Sequence, residues 1–246
     1  MASKALKMCI KILLRLWDTN MQETIVISLG GSLIVPDQID TDFLKSFKTL
    51  ILSHVVEGKK FVIVTGGGKI ARRYMNSAKE FGNPSDEDLH WIGIASLKLN
   101  AELVRVIFGK YAQTKVVSNL GEDFDFEKPI VIGSAYKPGH STDWDAVLAG
   151  KTVGAKKIIN LSNIDYVYDS DPRKNPKAKK FEKISWLEYR NLIPKDYTPG
   201  LNSPFDPTAS KMAEEEGMQV IIMNGKPIDN LAKCLDGEKF SGTVIT

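Results

Sequence analysis

The chain has 246 residues, 43% of them hydrophobic, and a formal net charge of +3 from 33 Lys and Arg against 30 Asp and Glu. With both signs spread along the chain, that balance argues against a bulk nucleic-acid or membrane-surface binder. Its two cysteines, Cys9 and Cys234, stand far apart and outside metal-ligand spacing. They exclude a disulfide framework, imply no structural zinc, and fit a reduced cytoplasmic protein.

Met8 to Trp17 is apolar and basic, but too short to span a bilayer and without a small-residue cleavage site. Residues 1–20 are therefore read as an N-terminal extension outside the core, and the domain as starting at Met21. Thr24 to Leu29 is a β-branched run broken by Gly30-Gly31-Ser32, and a helix is predicted from about Thr41 to Glu57. A second apolar run, Lys60 to Val64, enters the turn Thr65-Gly66-Gly67-Gly68-Lys69 and a helix to about Phe81. Both glycine turns read as phosphate cradles, because glycine lets backbone approach an anion and a helix start offers free N–H groups and a positive dipole end.

A longer helix opens at Ser85-Asp86-Glu87-Asp88, which fits a capping box, and places Leu89, Ile92, Leu99, Leu103 and Val106 near one face. Strands are predicted at Lys115 to Val117, Pro129 to Ile132 and Lys157 to Leu161, with a helix capped by Thr142 between the last two. Beyond Leu161, Asp165 to Lys183 reads as a long functional loop with room for a small hairpin. Then come a short helix at Trp186 to Leu192 and an irregular stretch, Pro194 to Pro204. A helix opens at Asp206-Pro207, followed by a strand at Gln219 to Met223 and a last helix from Pro227. The alternation predicts an α/β fold, a three-layer α/β/α sandwich on a mostly parallel sheet, with a lobe boundary near Leu161. Gly150-Lys151-Thr152 imitates the end of a P-loop, but Asp145 stands where its first glycine belongs.

Five blocks remain: Gly30-Gly31-Ser32; Gly66-Gly67-Gly68 with Arg72 and Arg73; Pro138-Gly139-His140-Ser141-Thr142-Asp143; Ser162-Asn163-Ile164-Asp165-Tyr166-Val167-Tyr168 through Asp171-Pro172-Arg173; and Asp206 to Lys211. In that order and spacing they resemble the amino acid kinase superfamily, and within it the archaeal-type uridylate (UMP) kinases. The resemblance implies a cytoplasmic enzyme transferring a phosphoryl group from ATP to UMP with Mg²⁺, in a homo-oligomer, by analogy a hexamer. It implies an acceptor-binding lobe over about 21–161 and an ATP-binding lobe over about 162–246. Ser28, Leu29, Gly30, Gly31, Ser32, Gly68, Arg72, Ser162, Asn163, Tyr168 and Asp171 are expected to hold ATP. Gly67, His90 and the loop Ala135, Tyr136, Lys137, Pro138, Gly139, His140 and Ser141 are expected to hold UMP. Lys211 would neutralise the phosphoryl group in flight, with Asp165 and Asp143 beside it, Asp143 orienting that lysine or the metal. No resident metal site is implied, and no nucleic acid or membrane partner.

The pattern departs from the family at His90, where an acid is usual for the ribose, at Tyr166, where a glycine is usual, and at Lys98 in place of an arginine. Ser28 occupies the place of a first-strand lysine found in many members. The alternatives are a related kinase with another acceptor, or a non-catalytic nucleotide- or oxyanion-binding protein on the same fold.

Overall fold

The computed structural model describes residues 23–198, 201 and 203–246. The expectation for residues 1–20 lies outside these. Five strands, β1 (Thr24–Leu29), β2 (Lys60–Thr65), β3 (Ile130–Gly133), β4 (Lys157–Ser162) and β8 (Gln219–Asn224), run parallel in the spatial order β3-β2-β1-β4-β8. Their sequences, such as Phe61-Val62-Ile63-Val64, are continuous apolar runs because helices cover both faces of the sheet. A further strand, β9 (Thr243–Ile245), pairs antiparallel with β8, and β7 (Lys183–Ile184) extends β9 at the edge. The seven-stranded sheet thus crosses position 161 without interruption.

Residue parity divides the core. Ile25, Ile27, Leu29, Phe61, Ile63, Ile159, Leu161 and Ile221 face a layer made by α2 (Thr41–Val56), α4 (Asp86–Phe108) and α8 (Ile228–Leu235). Val26, Val62, Val64, Ile158, Val220 and Ile222 face α5 (Thr142–Val153), α6 (Trp186–Leu192) and α7 (Pro207–Glu215). Three layers follow from the period of two along buried strands. No helix among the described residues is long and apolar enough to cross a membrane.

Most predicted elements are present, including the Ser85 capping box and a small hairpin of β5 (Val167–Tyr168) and β6 (Lys180–Phe181). Four details differ. Lys115 to Val117 is not a strand: only Val117 makes an isolated bridge, to Gly133. The cap of α5 is Ser141, whose hydroxyl accepts from the N–H groups of Asp143 and Trp144, while Thr142 is already helical. A one-turn helix, α1 (Gly31–Ile34), follows β1 directly. The short edge strands β7 and β9 carry too few residues to show a period.

Candidate active site

The chain steps outward from β1 to β2 and β3, then returns to place β4 on the other side of β1. Such a reversal opens a crevice beyond the carboxyl ends of the strands, where open α/β sheets bind ligands. Both glycine turns lie there, and they are one structure. A Cβ on Gly31 would stand 2.4 Å from the Gly66 carbonyl oxygen and 2.4 Å from the Gly68 nitrogen; one on Gly68 would meet Gly31 backbone at 2.4 Å, and Gly68 has φ +60°. The Gly66 N–H donates to the Leu29 carbonyl at 2.9 Å, and the Gly30 N–H to that of Leu161 at 2.8 Å. Two side chains of α4's neighbourhood complete the clamp: Asn100 Nδ2 donates to the Gly66 carbonyl at 2.8 Å, and Thr65 Oγ1 to that of Leu97 at 3.1 Å.

The glycines therefore bring two backbones into contact, and only some of their N–H groups remain for an anion. Helix starts supply the rest. α3 (Gly68–Glu80) and α1 begin after Gly67 and Gly30 with no side-chain cap, as α8 does after Pro227. By contrast α2, α4, α5, α6 and α7 are capped by Asp40, Ser85, Ser141, Ser185 and Asp206. Uncapped N–H groups at the carboxyl edge of the sheet are open to phosphate oxygens.

Asp143 ties the elements at this edge together. Ser28 and Asn160 are register partners on β1 and β4, so their side chains project from the same face toward the first turn of α5. Ser28 Oγ donates to Asp143 Oδ1 at 3.3 Å and Asn160 Nδ2 to the same oxygen at 3.0 Å. The Asp206 N–H donates to Asp143 Oδ2 at 3.2 Å, joining the start of α7. Ser141 Oγ bonds the Asp206 carboxylate, whose other oxygen caps α7 through the Ala209 N–H at 2.8 Å. Burial and the neighbouring Asp206 carboxylate push the Asp143 carboxyl up to about 7, against the lowering effect of its donors. Both of its oxygens are thus occupied, and among the described residues no group of three or more His, Cys, Asp or Glu is placed to hold a metal.

Beside this hub is a cleft floored by Ile94, Leu97 and Ala135 and walled by Gly67, Gly68, Arg72, His90, His140, Ser141 and Tyr197. Of the residues expected to hold UMP, Gly67, His90, Ala135, His140 and Ser141 are brought together here. Tyr136, Lys137, Pro138 and Gly139 are not: the Lys137 ammonium lies over the Tyr136 ring, 5.3 Å from its centroid, and 5.9 Å from that of Trp144. Gly68 and Arg72, expected with ATP, line this same cleft. His90 has Nε2 buried with no hydrogen-bond partner among the described residues, and its ring lies 5.9 Å from that of Tyr197.

The remaining expected residues lie along the loop after β4. Ser162 Oγ accepts from the Ile164 N–H at 3.3 Å; Asn163 is exposed; and Asp165 accepts from Asn224 Nδ2 at 2.8 Å. Tyr166 finds room edge-on to Tyr168, with rings 6.4 Å apart, and its face is covered by the Lys180 ammonium at 4.3 Å. Asp171 is engaged within its own turn, by the Arg173 N–H at 3.0 Å and by two guanidinium N–H groups. Arg173 holds its carboxyl below the usual range. Ser32 is half-buried in α1, and the Leu29 side chain lies wholly in the core, so only its backbone faces the edge. Lys211, on the helix that Asp206 caps, has a side chain 71% exposed, with Nζ 4.0 Å from Glu215 one turn on.

Sequence reading missed Asn160, Asp206 as more than a cap, and Tyr197. Asn160 was findable, as a lone polar residue inside the apolar run Ile158-Ile159-Asn160-Leu161. Nothing local marks Tyr197, which enters from an irregular stretch.

Residues 23–224 match the amino acid kinase family. A uridylate kinase of Thermococcus onnurineus is 34% identical over 224 residues, covering 90% of this chain and 98% of its own. One of Methanospirillum hungatei is 34% identical over 229 residues, covering 91% and 94%. The crystal structure of the uridylate kinase of Archaeoglobus fulgidus superposes with a TM-score of 0.77 at 32% identity, covering 92% of this chain and 100% of that one. With the interlocked glycine turns and the switch-point cleft, these likenesses show that the chain belongs to the amino acid kinase family, among its archaeal-type uridylate kinases.

Proposed function

We propose that this protein transfers the γ-phosphoryl group of MgATP to UMP, giving UDP and ADP. The observation that carries the reading is the convergence at one sheet edge of the uncapped start of α3, the Arg72 cleft and the Asp143 hub. UMP takes the cleft, its phosphate toward Arg72 and the first N–H groups of α3. ATP lies over the ends of β4 and β8, along Ser162, Asn163, Tyr168 and Asp171. Mg²⁺ bound to the nucleotide would neutralise charge on its phosphates, and no carboxylate cluster among the described residues would hold the metal by itself.

The two phosphate chains repel each other, so the protein's task is to hold them in line and offset their charge. Asp143 does this indirectly, by fixing β1, β4 and α7 in one register. The UMP phosphate oxygen is already ionised and needs no general base. Lys211 keeps its assigned role only as a proposal from the resemblance, since a long flexible lysine on α7 must leave Glu215 to perform it.

The test is ADP release from MgATP with UMP, CMP, uridine, acetylglutamate, aspartate and isopentenyl phosphate offered separately. UMP-dependent release is expected. Release with another acceptor instead moves the substrate, and ATP binding without release for any acceptor favours a nucleotide-binding protein.

We also propose that the cytoplasmic enzyme is a homo-oligomer joined through α4. Leu99 is 65% and Val106 63% exposed on its outer face, and Leu99 shares a shallow apolar groove with Ile70, Tyr74 and Ile92. A contiguous apolar groove is a marker of subunit contact. Leu99→Glu is expected to lower the mass measured by sedimentation while leaving far-ultraviolet circular dichroism unchanged.

A further inference from the structure

One pair of buried polar groups is used by nothing described so far. Asp145 stands one turn into α5 with its side chain 0% exposed, and neither carboxylate oxygen has a hydrogen-bond partner among the described residues. The imidazole of His140 stands beside it, with Nε2 3.4 Å from Asp145 Oδ1 and likewise buried and unpartnered among the described residues. The His140 side chain is 8% exposed, and what it shows lines the cleft. Leaving such groups unsatisfied is costly, so a buried orphan pair this close calls for an explanation.

We propose that Asp145 holds the His140 imidazole as a cation, making that wall of the cleft a hydrogen-bond donor only, and that this cation binds an oxygen of the phosphoryl acceptor. The inference rests on the reading of the cleft as the UMP site. Three observations support it. Moving 3.4 Å to 3 Å closes the Nε2–H to carboxylate bond, and a charge-assisted bond of this kind satisfies both orphans at once. The ring also lies against Trp144, with centroids 4.0 Å apart, and an indole favours a cation nearby. Finally, the His140 ring lines the cleft, and among the described residues no hydrogen bond engages its Nδ1. Asp145 is therefore a positioning residue, acting through His140.

Charged and titratable groups around the ring comprise Asp145 itself, Asp206 and Asp143 beyond it, exposed Lys137 on the outer side, and Arg72, His90 and Tyr197 across the cleft. Burial pushes the Asp145 carboxyl above the usual range, and the neighbouring His140 offsets only part of that rise.

A cation at this wall distinguishes acceptors. Uracil presents a carbonyl oxygen where cytosine presents an amino group, so a donor-only partner at the base edge favours UMP; one at the phosphate would serve both nucleotides equally. The experiment has two readouts on the full chain. First, the ring signals of the three histidines are titrated by NMR and His140 is assigned by their loss in His140→Gln. Its pKa is expected above the usual ~6.5, falling by at least about one unit in Asp145→Asn. Second, calorimetric titration with UMP and with CMP is expected to show UMP affinity falling roughly 10-fold in Asp145→Asn and in His140→Gln, with no further loss in the double variant.

Loss confined to UMP places the oxygen on the base; equal loss for CMP places it on the phosphate, and both outcomes support the cation. A His140 pKa unchanged by Asp145→Asn, or additive losses in the double variant, overturns the proposal. The ring titration needs no turnover, so failure of the uridylate kinase reading is seen separately, as absence of UMP-dependent ADP release from the unaltered protein.

Discussion

Gly31→Ala is expected to destabilise the protein by about 3 kcal/mol or more, at the upper end of what overpacking costs. The new Cβ would stand 2.4 Å from both the Gly66 carbonyl oxygen and the Gly68 nitrogen, and no flexible side chain is there to give way. Relief requires β1 and β2 to separate at the edge where their turns interlock. For a domain of this size the melting temperature should fall by roughly 6–12 °C. Gly93→Ala gives the opposite sign. Gly93 lies within α4 and a Cβ there meets nothing within 4 Å, so gaining helix propensity should raise stability by up to about 1 kcal/mol. Thermal denaturation of both variants checks the pair; equal small effects would mean that the two glycine turns are not locked together.

The second large effect is expected at Asp143. Both its oxygens accept hydrogen bonds, from Ser28 and Asn160 on one and from the Asp206 N–H on the other. Asparagine has one acceptor oxygen, so Asp143→Asn must set an NH₂ against a donor whichever way it turns. Misplacement at a phosphoryl-transfer site by an ångström costs on the order of 100-fold, and that is the expected fall in kcat. The same variant tests pH dependence. Burial, then the Asp206 charge, raises the folded-state carboxyl to about 7 from an unfolded value of 3.8. Between these values the folded state holds the extra proton. The contribution to stability is therefore fully present below about pH 4 and is lost as pH rises through about 7. Ligand-free protein should lose a few kcal/mol, roughly 2–4, between pH 5 and pH 8.5, and Asp143→Asn should flatten that slope. A slope unchanged by the substitution would assign the pH dependence to other groups.

The parallel strands were legible because a strand buried on both faces must be largely apolar, and the runs at β1, β2, β4 and β8 are, with Ser28 and Asn160 as buried polar exceptions. Helix starts were legible where a side chain caps them, as at Ser85 and Asp206. The cap at Ser141 was misplaced by one residue because Ser141 and Thr142 are both competent and only backbone dihedrals separate them. Edge strands of two or three residues carry no period to read.

At the site, local motifs located the glycine turns and the loop from Ala135 to Ser141, since backbone geometry needs those residue types wherever the chain goes. They did not show which residues share a cleft. Gly68 and Arg72 line the same cleft as Gly67 because all three sit at the start of α3, while Lys137 folds back over Tyr136 and Trp144. Lys211 matches its motif, and its side chain is exposed on α7 beside Glu215.

By itself, then, the sequence determined the three-layer fold, the polarity of its strands and the family, all of which depend on periodicity and on the order of short backbone motifs. Only the tertiary structure decided that the two glycine turns are one interlocked element, that Ser28 and Asn160 meet on Asp143, and that Asp145 faces His140. The first two join strands and helices far apart in the chain, set by register and strand order that no local pattern encodes; His140 and Asp145 are close in sequence, and the packing of the turn into α5 buries them together.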